Sequence, residues 1–287
     1  MGTELLLTDA GATKRAAAEF WDSNPCGGGG WKSYREFLDW YRATEPYFYQ
    51  ILGRYEWNGV ETLEVGCGQG TVVNHLAPLG ACVTAIDMSE RSIERALAGA
   101  REMGHEERVR LLHADAEHLP FPDASFDAAL SAGVLHHTPD IHRGIAEIHR
   151  VLRPGGRLVV MLYRSGNPKW WATVSARAAF RAASKVSRRP AALLERLRQR
   201  QEEGDTAGTA LLELFGVPIL NACTNGECRA LFNAFTDLRI TNHQPGFRRL
   251  ADVFPALRAA EGALGWVDHA TCRGWGFYQV IEARKPG

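Results

Sequence analysis

The chain has 287 residues, 45% of them hydrophobic, and its Lys+Arg 33 are balanced by Asp+Glu 33. That length and apolar content suit a large buried core and exclude a fibrous or disordered chain. The charge balance gives no global attraction for nucleic acid or an anionic membrane. The six cysteines, Cys26, Cys67, Cys82, Cys223, Cys228 and Cys272, form no Cys-x-x-Cys pair. Cys223 and Cys228 have no companion cluster of zinc spacing, so no metal is expected. With no apolar leader and no run of membrane-spanning length, the expectation is a cytoplasmic protein with reduced thiols and no stable membrane association.

Residues 1–58 read as an N-terminal helical lid segment. Its "EFWDSNPCGGGGW" places Phe20, Trp21 and Trp31 around a flexible glycine run. Ser33 and Glu36 suggest a capping box for a helix carrying Phe37, Leu38 and Tyr41 on one side, and Pro46 ends or bends that helix. From residue 59 to 163, the apolar runs "ETLEV", "CVTAI", "VRLLH", "FDAALS" and "GRLVVMLY" alternate with helical patterns, as in a parallel sheet with crossover helices. Ser89 is the expected cap of one helix. Thr138 with Pro139 opens another that carries Ile141, Ile145, Ile148 and Leu152, and Arg153, Pro154, Gly155 and Gly156 stop it. Residues 164–224 break the alternation and read as a helical cap holding Trp170, Trp171, Val174 and Phe180, with Pro190 interrupting it. Residues 225–287 return to the core with two closing strands, "DLRITNH" and "GFYQVIEARK". The fold class is α/β, a Rossmann-like doubly wound sheet with N-terminal helices and a helical cap inserted after the fifth strand.

The residues at the strand ends carry the chemistry. Gly66, Gly68 and Gly70 form one tight strand-to-helix loop through which backbone amides can approach a ligand. Asp87, about twenty residues on at the end of the next strand, can accept from both hydroxyls of a ribose. Asp115 can accept from an adenine amino group, Ala116 leaves room against the ring, and Glu117 faces solvent. Ser131, Ala132 and Gly133 line the same crevice, the usual ligand site of a doubly wound sheet.

As a set, "LEVGCGQG" with Asp87, "ADAEHLPFPDASFDAALSAGVLHHTPD" and "EIHRVLRPGGRLVVMLY" resemble the class I methyltransferases that use S-adenosylmethionine, in particular the small-molecule group related to ubiquinone and menaquinone methyltransferases. The resemblance covers about 105 contiguous residues of this chain. It implies a seven-stranded sheet whose last strand is antiparallel, with S-adenosylmethionine as cofactor and S-adenosylhomocysteine as product. By that resemblance Glu64 and Gly66 sit near the amino-acid part of the cofactor, Gly68 allows close approach, Asp87 holds the ribose, and Asp115 with Ala116 meets adenine. Cys67, Gly70, Met88 and Ser131 complete the cofactor set, with Tyr34 reaching the cofactor carboxylate from the N-terminal helix. A nicotinamide cofactor fits worse: Glu64 would repel a pyrophosphate, and Thr71 stands where the dinucleotide fingerprint needs glycine or alanine.

For the acceptor, His136 and His137 are candidate proton acceptors, His136 slightly preferred, and Tyr163 can face the same space. Each position is also consistent with packing in the pocket wall. Phe20, Trp21, Trp31, Trp170 and Trp171 are the candidate substrate wall, with attachment of helices to the body as their other role. "SAGV" replaces the NPPY or DPPY of base-directed amino methyltransferases, and no basic-aromatic surface stands out, so the expected partner is a small-molecule acceptor and not a nucleic acid. The methylated atom (oxygen, nitrogen, sulfur or carbon) stays open at this point, as does the oligomeric state, with a homodimer the one assembly considered. The alternative reading is a noncatalytic S-adenosylmethionine-binding scaffold or regulatory protein.

Overall fold

A computed structural model describes residues 14–202, 212, 215–246 and 255–287. Helices α1 (Lys14–Ser23), α2 (Tyr34–Thr44) and α3 (Pro46–Leu52) precede the first strand, β1 (Glu61–Val65). There follow α4 (Val73–Leu76), β2 (Cys82–Asp87), α5 (Glu90–Glu102), β3 (Val109–His113), β4 (Phe126–Ala132), α6 (Ile141–Val151) and β5 (Leu152–Tyr163). Helices α7 (Pro168–Val186) and α8 (Arg189–Glu202) then leave the sheet, and α9 (Asn225–Leu231) leads back to β6 (Thr236–His243). A last helix, α10 (Glu261–Trp275), precedes β7 (Tyr278–Arg284).

The strands form one seven-stranded sheet in the order β3-β2-β1-β4-β5-β7-β6. Its first five strands are parallel, and β7 runs antiparallel to both β5 and β6. The chain winds outward from β1 to β3, then returns to β4 on the other side of β1. The loops leaving β1 and β4 therefore diverge and open a crevice at their carboxyl ends.

Side chains alternate between the two faces of the sheet, and each face has its own core. Ala128, Leu130, Val159 and Met161 pack on one side with Phe48, Leu52 and Trp57 from the N-terminal segment. Ala129, Leu158, Val160 and Leu162 pack on the other side with Ile145, Ile148 and Val151 of α6. Both faces are covered, which explains why these strands read as nearly continuous apolar runs.

The local signals hold at some element ends and fail at others. Ser89 caps α5 by accepting from the Ser92 amide, and Ser33 caps α2 by accepting from the Glu36 amide. Glu36 reaches back to the Lys32 amide, one residue short of a full box. The cap of α6 is Asp140, which accepts from the Arg143 amide; the Thr138 hydroxyl instead donates to the Leu135 carbonyl, two residues too early to cap the helix. Helix α6 does end just before Arg153–Gly156, and that run already belongs to β5. Lys285 exchanges main-chain hydrogen bonds with Gly155 and Gly156, each of 2.9 Å, and so continues the ladder past the proline. Helix α10 is not anticipated in the sequence, where residues 225–287 read only as two closing strands. Gly262, Gly265 and Gly274 lower its propensity, and Trp266 is exposed, so no clean apolar stripe marks it.

Tyr34 belongs to this packing and not to the ligand site. Its hydroxyl donates to the Gln69 carbonyl at 2.8 Å and accepts from Asn74 Nδ2 at 3.0 Å, which pins the ring against α5. A Cβ at Gly99 would come within 2.3 Å of that ring. In an open helix Gly→Ala would stabilise by about 1 kcal/mol. Here Gly99→Ala is expected to destabilise by about 1–3 kcal/mol, because the pinned ring cannot give way. Urea denaturation of the variant checks the sign.

Candidate active site

One cavity of about 1160 Å³ opens at the carboxyl ends of β1, β2, β4 and β5. Its wall begins with the loop after β1. Gly66 has φ +78, and a Cβ there would lie 2.3 Å from the Val134 methyls, so only glycine lets this loop pass beneath the one after β4. Gly68 has φ +51 and nothing within 4 Å of its missing Cβ, which leaves its backbone bare to the cavity. Gly70 does not line the cavity; it presses against Ala96 of α5 and sets the loop on that helix.

Asp87 closes the end of β2. Oδ2 accepts from the Gly68 amide at 2.8 Å and Oδ1 from the Ser89 amide at 2.9 Å. Burial pushes its pKa up, and these backbone donors hold the shift in check. Glu64, on β1, is 2% exposed and also lines the cavity. Burial holds its pKa well above the usual range, while an amide hydrogen bond from Val73 opposes this and the nearby Asp87 adds to it. Its Oε2 has no hydrogen-bond partner. A buried carboxylate oxygen left unpaired is costly, and a cationic group entering the cavity would satisfy it. These acceptors therefore fit a cofactor with an ammonium or sulfonium and a ribose, and they oppose one with a pyrophosphate. Cys67 and Met88 line the same wall, and burial raises the Cys67 thiol pKa well above its ordinary value.

Two assigned cofactor residues have other engagements. Ala116 lines the cavity but Asp115 does not: its Oδ2 is ion-paired with Lys14 of α1 at 2.7 Å, and its Oδ1 accepts from the Glu117 amide at 2.9 Å. Lys14 also pairs with Glu117 at 2.5 Å, and Glu117 is buried, not solvent-facing as expected. Ser131 is fully buried and donates to the Val65 carbonyl at 2.9 Å, bracing β4 on β1 outside the cavity lining. Gln69, absent from the sequence reading, lines the cavity and donates through Nε2 to the Cys26 and Gly28 carbonyls, tying the N-terminal glycine run to the loop after β1.

On the acceptor side the order of the histidines reverses. His136 is 1% exposed, lies outside the cavity lining, and has both ring nitrogens without partners. Burial pushes its pKa well below the usual value, and it serves as a neutral ring stacked on Tyr163 with centroids 3.9 Å apart. His137 lines the cavity, and its Nδ1 lies 2.8 Å from the Ile219 carbonyl. Burial lowers its pKa to about 4, helped by the charge of Arg177 and opposed by the Ile219 hydrogen bond. Tyr163 lines the cavity, as does Trp21, whose ring lies 5.0 Å from that of His137.

The other proposed substrate aromatics do not reach this space. Phe20 packs edge-on against Trp21, and Trp31 donates to the Gly27 carbonyl and stacks in a cluster with Phe37 and Trp40. Trp170 is buried in the core, while Trp171, one residue on and about 100° around the helix, is 56% exposed. The wall is built instead from Trp40 and Glu45 of the N-terminal segment, Thr173 of α7, Gln244 after β6 and Trp275 of α10. None of these five positions stands out in the sequence, because no periodicity reveals what a face will meet. Among the described residues, no group of three or more His, Cys, Asp or Glu side chains could hold a metal ion, and no helix is long and apolar enough to cross a membrane.

A seven-stranded sheet with its penultimate position taken by an antiparallel strand, a glycine loop after β1 and a carboxylate closing β2 defines the class I methyltransferase fold. Residues 63–160 match a family described as "Methyltransferase domain". A 27-O-demethylrifamycin SV methyltransferase of Amycolatopsis mediterranei (strain S699) is 43% identical over 103 residues, 36% of this chain and 38% of its own length. A demethylmenaquinone methyltransferase of Clavibacter sepedonicus is 41% identical over 102 residues, 36% of this chain and 40% of its own. The chain thus matches well under two thirds of either relative's length. Among solved structures, that of the [4+2]-cyclase SpnF superposes with a TM-score of 0.59 at 23% identity, covering 97% of this chain and 98% of that one, which is a likeness of fold.

The depressed pKa of His137 has a measurable sign. Between its ordinary 6.5 and the folded value of about 4, acid protonates the unfolded ring and not the folded one, so the folded state loses stability as pH falls through that window. Going from pH 7.5 to 5, the wild type should lose about 2 kcal/mol more than His137→Gln. Denaturant titrations of both proteins at both pH values check this; equal losses would mean the ring titrates normally.

Proposed function

We propose that this chain transfers a methyl group from S-adenosylmethionine to a small, partly apolar or aromatic metabolite. The observation that carries the reading is continuity: Glu64, Gly68 and Asp87 share a single cavity with His137, Tyr163 and Trp21. At about 1160 Å³ that cavity exceeds the roughly 300–1,000 Å³ of a site for one drug-sized ligand, so cofactor and acceptor can be held together.

Glu64 Oε2 would take the cofactor ammonium, and Asp87, already fixed by two amides, would accept from the ribose hydroxyls. Ala116 would lie against adenine. Asp115 Oδ2 is taken by Lys14 and His118, so only Oδ1, which accepts from the Glu117 amide, keeps a lone pair for the amino group. When bound, S-adenosylmethionine supplies a methyl group already activated on sulfur. The protein then has to align the acceptor and exclude water, which the aromatic wall and the helices arching over the strand ends are placed to do. All six cysteines are free thiols, in keeping with a cytoplasmic setting, and we expect neither nucleic-acid nor stable membrane partners.

One relative is named for a rifamycin, which supports a bulky secondary metabolite as acceptor. A second reading comes from the fold match to a protein named as a [4+2]-cyclase over nearly the whole chain: this fold can host a reaction other than methyl transfer. Mass balance separates the two, because transfer adds one CH2 to the product and cyclisation adds nothing.

Calorimetry with S-adenosylmethionine, S-adenosylhomocysteine and NAD tests the cofactor. The first two should bind and NAD should not; the reverse pattern would defeat the reading. Asp87→Ala should cost about 1–3 kcal/mol, roughly 5- to 150-fold in Kd for S-adenosylhomocysteine.

A further inference from the structure

We propose that Cys223 and Cys228 form an oxidisable pair whose disulfide fastens α9 to the segment that braces the cavity wall. Cys223 is the sulfur that attacks a hydroperoxide, and Cys228 is the thiol that resolves it. The inference is independent of the methyl-transfer reading.

The pair follows from how α9 begins. Thr224 is its N-cap and accepts from the Glu227 amide, while Glu227 Oε2 accepts in return from the Thr224 amide at 2.8 Å. Around such a capping box, the residue before the cap and the fourth residue of the helix often pack on one another as an apolar staple. Here those two positions are Cys223 and Cys228, so the staple is a contact between thiols. Cys228 is fully buried in the core on the α6 side of the sheet, and Cys223 packs against that core. The Cys228 thiol donates to the Cys223 sulfur. Cys223 is itself only half-buried, so a small oxidant reaches it first.

The surroundings divide the roles in the same way. Gln279, buried on β7, donates through Nε2 to Cys223 Sγ at 2.8 Å and to the Cys223 carbonyl at 3.0 Å. With the Cys228 S–H, the Cys223 sulfur therefore accepts from two donors, which makes it the electron-rich partner. The hydrogen bond to Cys223, and then burial, push the Cys228 pKa up, so Cys228 keeps its proton.

The chemistry needs one two-electron oxidant, a hydroperoxide. The Cys223 sulfur forms an S–O bond as the O–O bond breaks, its proton leaves with the departing oxygen, and a sulfenic acid remains. The Cys228 sulfur then forms the S–S bond as the S–O bond breaks, and the departing hydroxide takes the Cys228 proton as water. With hydrogen peroxide, two thiols are oxidised to one disulfide and the peroxide is reduced to two waters.

Closing this bond acts on more than α9. The Cys223 amide donates to the Tyr163 carbonyl at 3.3 Å and its carbonyl accepts from the Ser165 amide at 3.1 Å, which extends the ladder of β5 past its last residue. Two residues earlier, Asn221 donates from its amide to the His136 carbonyl at 2.8 Å and from Nδ2 to the Thr138 carbonyl at 3.1 Å. The disulfide would thus lock a joint between α9, the end of β5 and the turn after β4, from which Tyr163 and His137 line the cavity.

The test uses the full chain, treated with excess hydrogen peroxide, alkylated and digested with trypsin. No Lys or Arg lies between Arg200 and Arg229, so both cysteines fall in one peptide, residues 201–229. That peptide should escape alkylation, weigh two hydrogens less, and regain both thiols with dithiothreitol. When a glutamate-specific protease then cuts after Glu227, between the cysteines, the two fragments should stay joined. In Cys228→Ala, dimedone should trap Cys223 as a sulfenic acid, whereas in Cys223→Ala the Cys228 thiol should survive the same dose. The proposal is overturned if Cys223 and Cys228 stay alkylatable at a dose that oxidises Cys26, Cys82 or Cys272, which are also half-buried. Oxidation of wild-type Cys223 to a sulfinic acid without a disulfide, pairing of either sulfur with another cysteine, or dimedone capture at Cys228 instead of Cys223 would overturn it as well.

Discussion

The site hangs on one carboxylate. Asp87 accepts from the Gly68 amide on one oxygen and from the Ser89 amide on the other, which locks the loop after β1 to the start of α5. Ser89 passes the constraint on: its hydroxyl accepts from Ser92 to cap α5 and donates to Asp22 at 2.9 Å, while Asp22 also accepts from the Arg91 amide at 3.0 Å. Asp22 is the neighbour of Trp21 on α1, so the residue that borders the acceptor space is positioned by the same short run of hydrogen bonds that shapes the cofactor loop. Bonds to a buried ionised group are stronger than neutral ones, which lets a few of them fix so much.

The rest of the cavity is assembled from parts far apart in sequence. Helix α1 comes before the sheet, α7 after β5, and α10 between the two antiparallel strands. Each contributes a few side chains to a wall whose floor is the carboxyl edge of the parallel strands. The floor is rigid because both faces of the sheet are packed, whereas the walls sit on elements free to differ between proteins of this fold. That division fits the family match, which spans residues 63–160 and so covers the floor but not α1, α7 or α10.

What was legible in the sequence follows the same line. The strands, the glycine loop, Asp87 and Glu64 are consequences of local patterning and fixed spacing, and they stand where that patterning puts them. The acceptor side depends on phase, which spacing alone does not set. His136 and His137 lie on a single 3-10 turn, and only the docking of residues 219–221 decides which ring faces the cavity. Trp170 and Trp171 are a similar pair: the start of α7 at Asn167 and Pro168 fixes which of them is buried. Ser131 was misread because a strand residue at the crevice can point to a neighbouring strand as easily as to a ligand. Asp115 has a partner, Lys14, 101 residues away, which no local pattern announces.

The placing of β7 has a bearing on how the chain reaches this state. β6 leaves the ribosome well before β7, yet it is β7 that sits between β5 and β6 and pairs with both. Until residues 278–284 arrive, β5 presents a bare edge and β6 has nothing to pair with. Unpaired edges of this kind template association with other chains, and closure of long loops is slow compared with helix formation. The parallel part of the sheet can therefore assemble during synthesis, while the last joint waits for the final strand to wedge in. The cavity walls carried on α7 and α10 flank that joint, so they take their final places after the loops that leave β1, β2 and β4.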